Sequence, residues 1–170
     1  MEKVYAGWSE EGLIEEGISQ ANRLGKEMQG WGISTIYTYT SPIRRALQTA
    51  RILNTYLNTK LVIEPDLIEM KMGLWEGLSE DEVVTRYPFE YKIWLERPAE
   101  LKLNGRETLD EIQQRAVRAI NRILEQQPDT ISLVVTHVAL IRCLFLYFNR
   151  LHLNSYKAID VSNTSIYQFN

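Results

Sequence analysis

Two strand-like runs of this chain are each followed at once by a helix signal, and this order constrains the fold more than any other feature. ISTIYTYT (Ile33–Thr40) is rich in β-branched and aromatic residues and predicts a strand. Ser41-Pro42 then opens a helix, with Ser41 as the predicted N-cap. ISLVVT (Ile131–Thr136) is continuously apolar, which predicts a strand buried on both faces, and an apolar helix follows from about Val138. Strands alternating with helices indicate an α/β layer fold with a mainly parallel sheet.

The remaining segments extend this alternation without a linker or an internal repeat, so we expect one domain over residues 1–170. The other predicted elements are a helix over Glu15–Met28, strands over Lys60–Glu64 and Thr164–Phe169, and a long helix opened by the capping box Thr108-x-x-Glu111. Residues 65–106 have weak periodicity and several Pro and Gly. They predict a long excursion with short helical pieces, and such excursions are often functional.

Composition excludes several classes of protein. A net charge of −3 gives no electrostatic attraction to nucleic acid or to an anionic membrane. One Cys and two His cannot build a thiolate zinc site. The first residues, MEKVYAGWSEEG, lack the apolar run of a signal peptide, and Val138–Phe148 is too short to span a bilayer. We therefore expect a soluble, cytoplasmic protein without nucleic-acid or membrane partners.

The two strand-to-helix junctions carry side chains suited to anion binding. Open parallel sheets bind ligands beyond the carboxyl ends of their strands, where helices present their amino ends. Arg45 lies one turn into the first helix, and with free backbone N–H groups it predicts an anion site. His137 follows the second strand, and an imidazole there can donate to a phosphoryl oxygen. Taken singly, a solvated Arg45 and a structural His137 remain open alternatives.

Two carboxylates of the excursion are candidate proton donors. Glu69 lies among apolar residues in LIEMKMGLWEG, where desolvation would raise its pKa and suit it to acid catalysis. Glu76 is the alternative in the same segment. Either residue could also be a solvated loop carboxylate without a catalytic role. Cys143 lies within the apolar helix and is interpreted as a small buried hydrophobic residue, and His152 is given no role.

Five segments, in this order, resemble the histidine phosphatases, also called the phosphoglycerate-mutase-like superfamily. They are GWSEEGLIEEGISQA (Gly7–Ala21), SPIRRALQTA (Ser41–Ala50), LIEMKMGLWEG (Leu67–Gly77), the Gly105-Arg106-Glu107 segment leading into Arg115, and VVTHVALIR (Val134–Arg142). The resemblance implies a three-layer α/β/α sandwich of phosphoglycerate mutase type. It also implies phosphoryl chemistry without a metal or an organic cofactor.

The resemblance assigns roles to four residues. Arg45 matches the arginine of the S-P-x-x-R-A motif, which binds the phosphoryl group. Glu69 matches the acidic residue that acts as general acid and base, and His137 matches the second histidine, which stabilises the transferring phosphoryl group. Glu107 matches the family's Gly-Glu-Ser segment, with Thr108 in place of Ser.

The chain departs from the family pattern in two places. Val138 stands where the family usually has Gly after the second histidine. The family's Arg-His-Gly motif, whose histidine becomes phosphorylated, is absent from these 170 residues, and neither His137 nor His152 stands in such a context. Without that histidine the covalent route through a phosphohistidine is closed.

Three hypotheses follow from this departure. The first is a phosphatase, or a mutase-like phosphoryl transferase (an isomerase), acting on a small phosphorylated metabolite, of which this chain is an N-terminally shortened version. The second is a catalytically inactive phosphatase-like protein that binds phosphorylated ligands or partners an active paralogue, and the third is a broken copy without function. A homodimer and a heterodimer with a complete paralogue are both left open. The modest length of the excursion resembles the short phosphatase members.

Overall fold

Three parallel strands form the sheet in the computed structural model, which describes residues 4–32 and 35–169. They are β1 (Thr35–Thr40), β2 (Lys60–Ile63) and β3 (Ile131–Val135), in the order β2-β1-β3. Thr40 pairs with Ile63 on one side and with Val135 on the other, so the carboxyl ends of all three strands meet at one edge of the sheet. Ile33 and Ser34 of the predicted first strand lie outside the described residues.

Helices cover the sheet and build the three-layer α/β/α architecture that the sequence predicts. They are α1 (Glu15–Gly30), α2 (Arg44–Leu57), α3 (Glu80–Arg86), α4 (Pro88–Glu96), α5 (Leu109–Gln126) and α6 (Val138–Phe148). The α1 helix packs on α2, which packs on β1, while α5 packs on α6. The main apolar core joins Tyr39 of β1 to the buried faces of α5 and α6. No helix within the described ranges is long and apolar enough to cross a membrane.

Local chemistry explains where the helices begin. The capping box of α5 is present as predicted, since the Thr108 hydroxyl accepts the N–H of Glu111 and the Glu111 carboxylate accepts the N–H of Thr108. The predicted cap of α2 is wrong. Ile43 is its N-cap, because the backbone stays extended through Ile43 and helical geometry begins at Arg44. The Ser41 hydroxyl accepts the N–H of Ile43 instead of capping the helix itself.

The expectation that β3 is buried on both faces is wrong. Within the described sheet β3 pairs only with β1, so it is an edge strand, and its residues are half-buried or exposed. Ile131 is 58% exposed. ISLVV has the composition of a strand buried on both faces, but at the edge of the described sheet it has side chains of a neighbouring strand on one side only, and its residues stay half-buried or exposed.

The predicted last strand over Thr164–Phe169 is also wrong. Its residues adopt no strand, because their aromatic side chains pack on α6 instead of joining the sheet. Tyr167 meets Phe145 edge to face with ring centroids 5.9 Å apart, and Phe169 stacks on Phe148 at 4.9 Å.

The excursion between β2 and α5 contains short helical pieces, as predicted. Besides α3 and α4 it forms 3₁₀ turns over Pro65–Leu67, Gly73–Trp75 and Pro98–Glu100. Gly73 has a φ of +57°, and a Cβ there would lie 2.4 Å from the backbone N of Arg106. This close approach holds the excursion against the segment before α5, where Lys71 and Glu107 exchange hydrogen bonds.

Candidate phosphate-binding site

Arg45 is held at the start of α2 by the carbonyls of an amino-terminal segment, defined here as residues 4–9. Its Nη2 donates to the carbonyl of Gly7 at 2.9 Å and to that of Ala6 at 3.3 Å. Its Nη1 donates to the carbonyl of Ser9 at 3.1 Å and to the Ser9 hydroxyl at 3.4 Å. An anion that binds the Arg45 guanidinium must therefore replace these oxygens as the acceptor of its N–H groups.

The amino-terminal segment is itself fixed to the excursion. Tyr5 donates its N–H to Leu78 and accepts the N–H of Gly77, both at 2.9 Å. The Tyr5 ring lies 5.3 Å from that of Trp75. A groove of about 490 Å³ opens beside this segment, with Trp8, Lys71 and Glu76 among its lining residues, and neither Arg45, Glu69 nor His137 lines it.

His137 lies between β3 and α6 as expected, and its imidazole is buried. Its Nε2 is 2.7 Å from the Ser41 hydroxyl. Burial, followed by the positive charges of Arg45 and Arg115, lowers the pKa of His137 to about 3. The ring is therefore neutral at physiological pH.

Glu69 is partly buried, and its carboxyl group faces the protein interior. Burial raises the pKa of Glu69 to about 7, against the opposing effects of a hydrogen bond from the Met70 N–H and the charge of Arg45. The backbone N–H of Ala139, in the first turn of α6, also lowers this pKa. A carboxyl group that titrates near neutral pH suits a proton donor. Glu76, the alternative, is exposed and accepts the N–H of Trp8.

Glu107 and Arg115 form a paired clamp on the loop that carries Glu69. The Glu107 carboxylate accepts from Arg115 Nε at 3.0 Å and Nη2 at 2.9 Å, and also from the N–H of Lys71 at 2.9 Å. Arg115 Nη1 donates to the carbonyls of Asp66 and Ile68 at 2.7 and 2.8 Å. Because the two residues bind the loop on both sides of Glu69, they fix where its carboxyl group lies.

Sequence reasoning missed the role of Arg115, although a signal was present. Arg115 follows Ile112 by three positions and so lies on the apolar stripe of α5, where a charged residue needs a buried partner. Glu107 is that partner, and the side chains of the pair are only 11% and 21% exposed.

The structure brings the three predicted site residues into one electrostatic neighbourhood. The charge of Arg45 lowers the pKa of both His137 and Glu69, so its guanidinium lies within range of each. Cys143 is buried, which agrees with its interpretation as a core residue. Among the residues the structure describes, no group of three or more His, Cys, Asp or Glu could hold a metal ion.

The two shifted pKa values predict opposite dependences of stability on pH. From about pH 4.5 to 7, folded Glu69 keeps a proton that the unfolded chain has lost, so its contribution falls as pH rises. Between about pH 6.5 and 3, His137 is protonated in the unfolded chain but neutral in the folded protein. The contribution of His137 to the free energy of unfolding therefore falls as pH drops. In the pH range that both residues share, each changes the free energy of unfolding by at most about 1.4 kcal/mol per pH unit. The two changes have opposite signs and cancel.

We expect Glu69→Gln to unmask the His137 slope, so that the free energy of unfolding rises between about pH 4.5 and 6.5. His137→Gln should leave the Glu69 slope and make it fall over the same range. Urea unfolding at three pH values measures both. Glu76→Gln is the control, because its exposed side chain should leave the profile unchanged. Parallel profiles for all four proteins contradict these assignments.

Comparison with known proteins gives one consistent result. The model of the histidine phosphatase superfamily (branch 1) matches residues 1–170. Phosphoserine phosphatase 1 of Hydrogenobacter thermophilus is 26% identical over 161 residues, which are 95% of this chain and 75% of the relative. The metal-independent phosphoserine phosphatase of Arabidopsis thaliana is 30% identical over 146 residues, 82% of this chain and 59% of the relative. The solved structure of Bacillus stearothermophilus YhfR superposes with a TM-score of 0.84 at 28% identity, covering 91% of this chain and 76% of that one.

Proposed function

Because this chain belongs to the histidine phosphatase superfamily, we propose that it supplies the phosphate-binding and acid-base residues of a phosphomonoesterase. The observation that carries the proposal is the shared neighbourhood of Arg45, Glu69 and His137 at the carboxyl edge of the sheet. A fixed guanidinium, a neutral imidazole and a carboxyl group with a pKa near 7 are the groups that phosphoryl transfer to and from a histidine needs.

Each residue then has a distinct task. Arg45 binds two phosphoryl oxygens through its fork, and His137 donates a hydrogen bond to a third. Glu69 protonates the leaving alcohol and afterwards takes a proton from the attacking water. The attacking histidine comes from an Arg-His-Gly strand that these 170 residues do not contain.

The substrate is proposed as a small phosphorylated metabolite. Two of the relatives are named phosphoserine phosphatases, which favours hydrolysis over mutase chemistry and a phosphoserine-like monoester as the first substrate to test. A cytoplasmic location and a dimer, with itself or with a complete paralogue, remain predictions.

A second function needs only the phosphate-binding residues that the chain contains. Arg45 and His137 do not need the attacking histidine in order to hold a phosphate, so the 170-residue chain is also a candidate phosphate-binding partner without turnover. Both functions require phosphate binding. They differ in turnover, which only the first function yields when an Arg-His-Gly strand is added.

We expect orthophosphate to bind weakly, because it must displace the carbonyls of the amino-terminal segment from Arg45. Arg45→Ala should abolish this binding in a ³¹P NMR or calorimetric titration. Arg51→Ala is the matched control, since Arg51 is exposed on the same helix. Equal phosphate affinity in the Arg45→Ala variant and the parent chain contradicts the proposed site.

A further inference from the structure

Ser41 is fully buried at the end of β1, and its hydroxyl meets the imidazole of His137. The Ser41 N–H donates to the carbonyl of Val135 at 3.1 Å, which holds Ser41 against the end of β3. Its Oγ lies 2.7 Å from His137 Nε2 and accepts the N–H of Ile43 at 3.2 Å. These two contacts are the ones the structure gives to Ser41 Oγ among the described residues.

The two contacts decide which nitrogen of His137 carries the proton. A serine hydroxyl has one proton and two lone pairs. The N–H of Ile43 uses one lone pair. If His137 Nε2–H used the other, the hydroxyl proton of a fully buried Ser41 would be left without an acceptor. The hydroxyl therefore donates to Nε2, and the imidazole proton lies on Nδ1.

We propose that Ser41 is a positioning residue that fixes His137 as the neutral Nδ1–H tautomer. The proposal rests on the proposed function, in which His137 contacts the phosphoryl group. With Nε2 occupied by the Ser41 hydroxyl, Nδ1–H is the ring donor that remains for a phosphoryl oxygen. Ser41 thus presents one donor of fixed position before any ligand arrives.

The electrostatics of the ring agree with this arrangement. Protonation of His137 would place a proton on Nε2 and force the Ser41 hydroxyl to turn from donor to acceptor. It would also add a buried positive charge beside those of Arg45 and Arg115, which already lower the pKa of the ring. Both effects keep the imidazole neutral.

The tautomer is measured directly by ¹⁵N-histidine NMR near neutral pH, because protonated and bare ring nitrogens resonate in separate ranges. The chain has two histidines, and a His152→Gln variant assigns the signals of His137. We expect His137 to show a protonated Nδ1 and a bare Nε2. A protonated Nε2 in the unaltered chain overturns the proposal without any further variant.

Three variants separate positioning by Ser41 from a general effect of altered packing. Ser41→Ala removes the donor, and the His137 ring should shift towards the Nε2–H tautomer that imidazoles favour in water. Ser41→Thr keeps the hydroxyl and should restore Nδ1–H. Thr38→Val removes a different fully buried hydroxyl, which lies in β1 and is bonded to Thr59, and should leave the His137 signals unchanged. An unchanged tautomer in folded Ser41→Ala contradicts the proposal.

Phosphate binding supplies a second readout. We expect Ser41→Ala to weaken orthophosphate by about tenfold, the value of one hydrogen bond to a charged group, with recovery in Ser41→Thr. The two proposals fail separately. A correct tautomer without phosphate binding overturns the proposed function, whereas phosphate binding that is equal in Ser41→Ala and the parent chain overturns the role of Ser41.

Discussion

The 170-residue chain should hydrolyse an aryl phosphate at a rate near background, and the same chain extended by a strand ending in Arg-His-Gly should turn over at least about 10⁴-fold faster. The reason is the missing attacking group. Acid catalysis by Glu69 is worth about 10²–10⁴-fold, and it cannot replace a nucleophile that divides the displacement into two steps. Release of the aryl alcohol, followed by absorbance, measures both rates.

The comparison between the 170-residue chain and the extended chain needs two controls. Replacing the added histidine by Ala should return the rate to background while keeping the strand. His137→Ala in the extended chain should also lower the rate, because the transferring phosphoryl group loses a donor. An extended chain that stays at background while binding phosphate would support the non-catalytic function instead.

Within the sheet that the structure describes, the edge of β3 away from β1 has no neighbouring strand and offers the added strand a place. Ile131 is exposed, and the outer backbone groups of β3 face away from β1. A strand that pairs there would cover an apolar run and satisfy backbone donors and acceptors. We therefore place the added Arg-His-Gly strand beside β3, whose carboxyl end leads into His137.

Arg115→Ala is expected to cost about 3–5 kcal/mol of unfolding free energy, the largest stability effect of any single charge in the site. The change leaves the Glu107 carboxylate without its bidentate partner, and that carboxylate is only 21% exposed. It also removes the donors to the carbonyls of Asp66 and Ile68, so the loop before Glu69 loses these two bonds to α5. Urea unfolding measures the loss.

Arg122 is the matched control on the same helix. It pairs with Glu64 and Asp66, whose side chains are 16% and 33% exposed, but the Arg122 side chain itself is 41% exposed and water can replace it, so Arg122→Ala should cost about 1 kcal/mol. Equal losses in the Arg115→Ala and Arg122→Ala variants contradict the distinction drawn here between a buried clamp and a surface pair.

The sequence predicted most elements because their signals are local. Apolar spacing located α1 and α5, and the Thr108–Glu111 capping box marked the start of α5 to the residue. The order of strands and helices was enough for the architecture, because strands joined through helices run parallel in one sheet.

The sheet neighbours of a segment are not encoded locally, and two of the three wrong predictions arise there. ISLVV in β3 has the composition of a central strand, yet the described sheet leaves one side of it open. Residues 164–169 have strand-like composition, yet their rings find apolar partners on α6.

Pattern and resemblance predicted the candidate catalytic and binding residues, but not the residues that position them. Arg45, Glu69 and His137 stand at junctions or in a motif. Two of the positioning contacts exist only in the folded chain. The Ser41 hydroxyl bonds to the His137 imidazole, and Arg115 bonds to carbonyls of a loop 46 to 49 residues away. The occupation of Arg45 by the carbonyls of residues 6–9 also has no signature in the sequence.

The most direct test of the central claim is covalent labelling by a ³²P-phosphomonoester followed by rapid quenching. The claim is that Arg45, Glu69 and His137 serve a phosphoryl group whose acceptor is another histidine. The extended chain should acquire one acid-labile phosphoryl group on its added histidine, and the 170-residue chain should acquire none. Labelling of the 170-residue chain that disappears in the His137→Ala variant would contradict the account, because His137 itself would then be the acceptor.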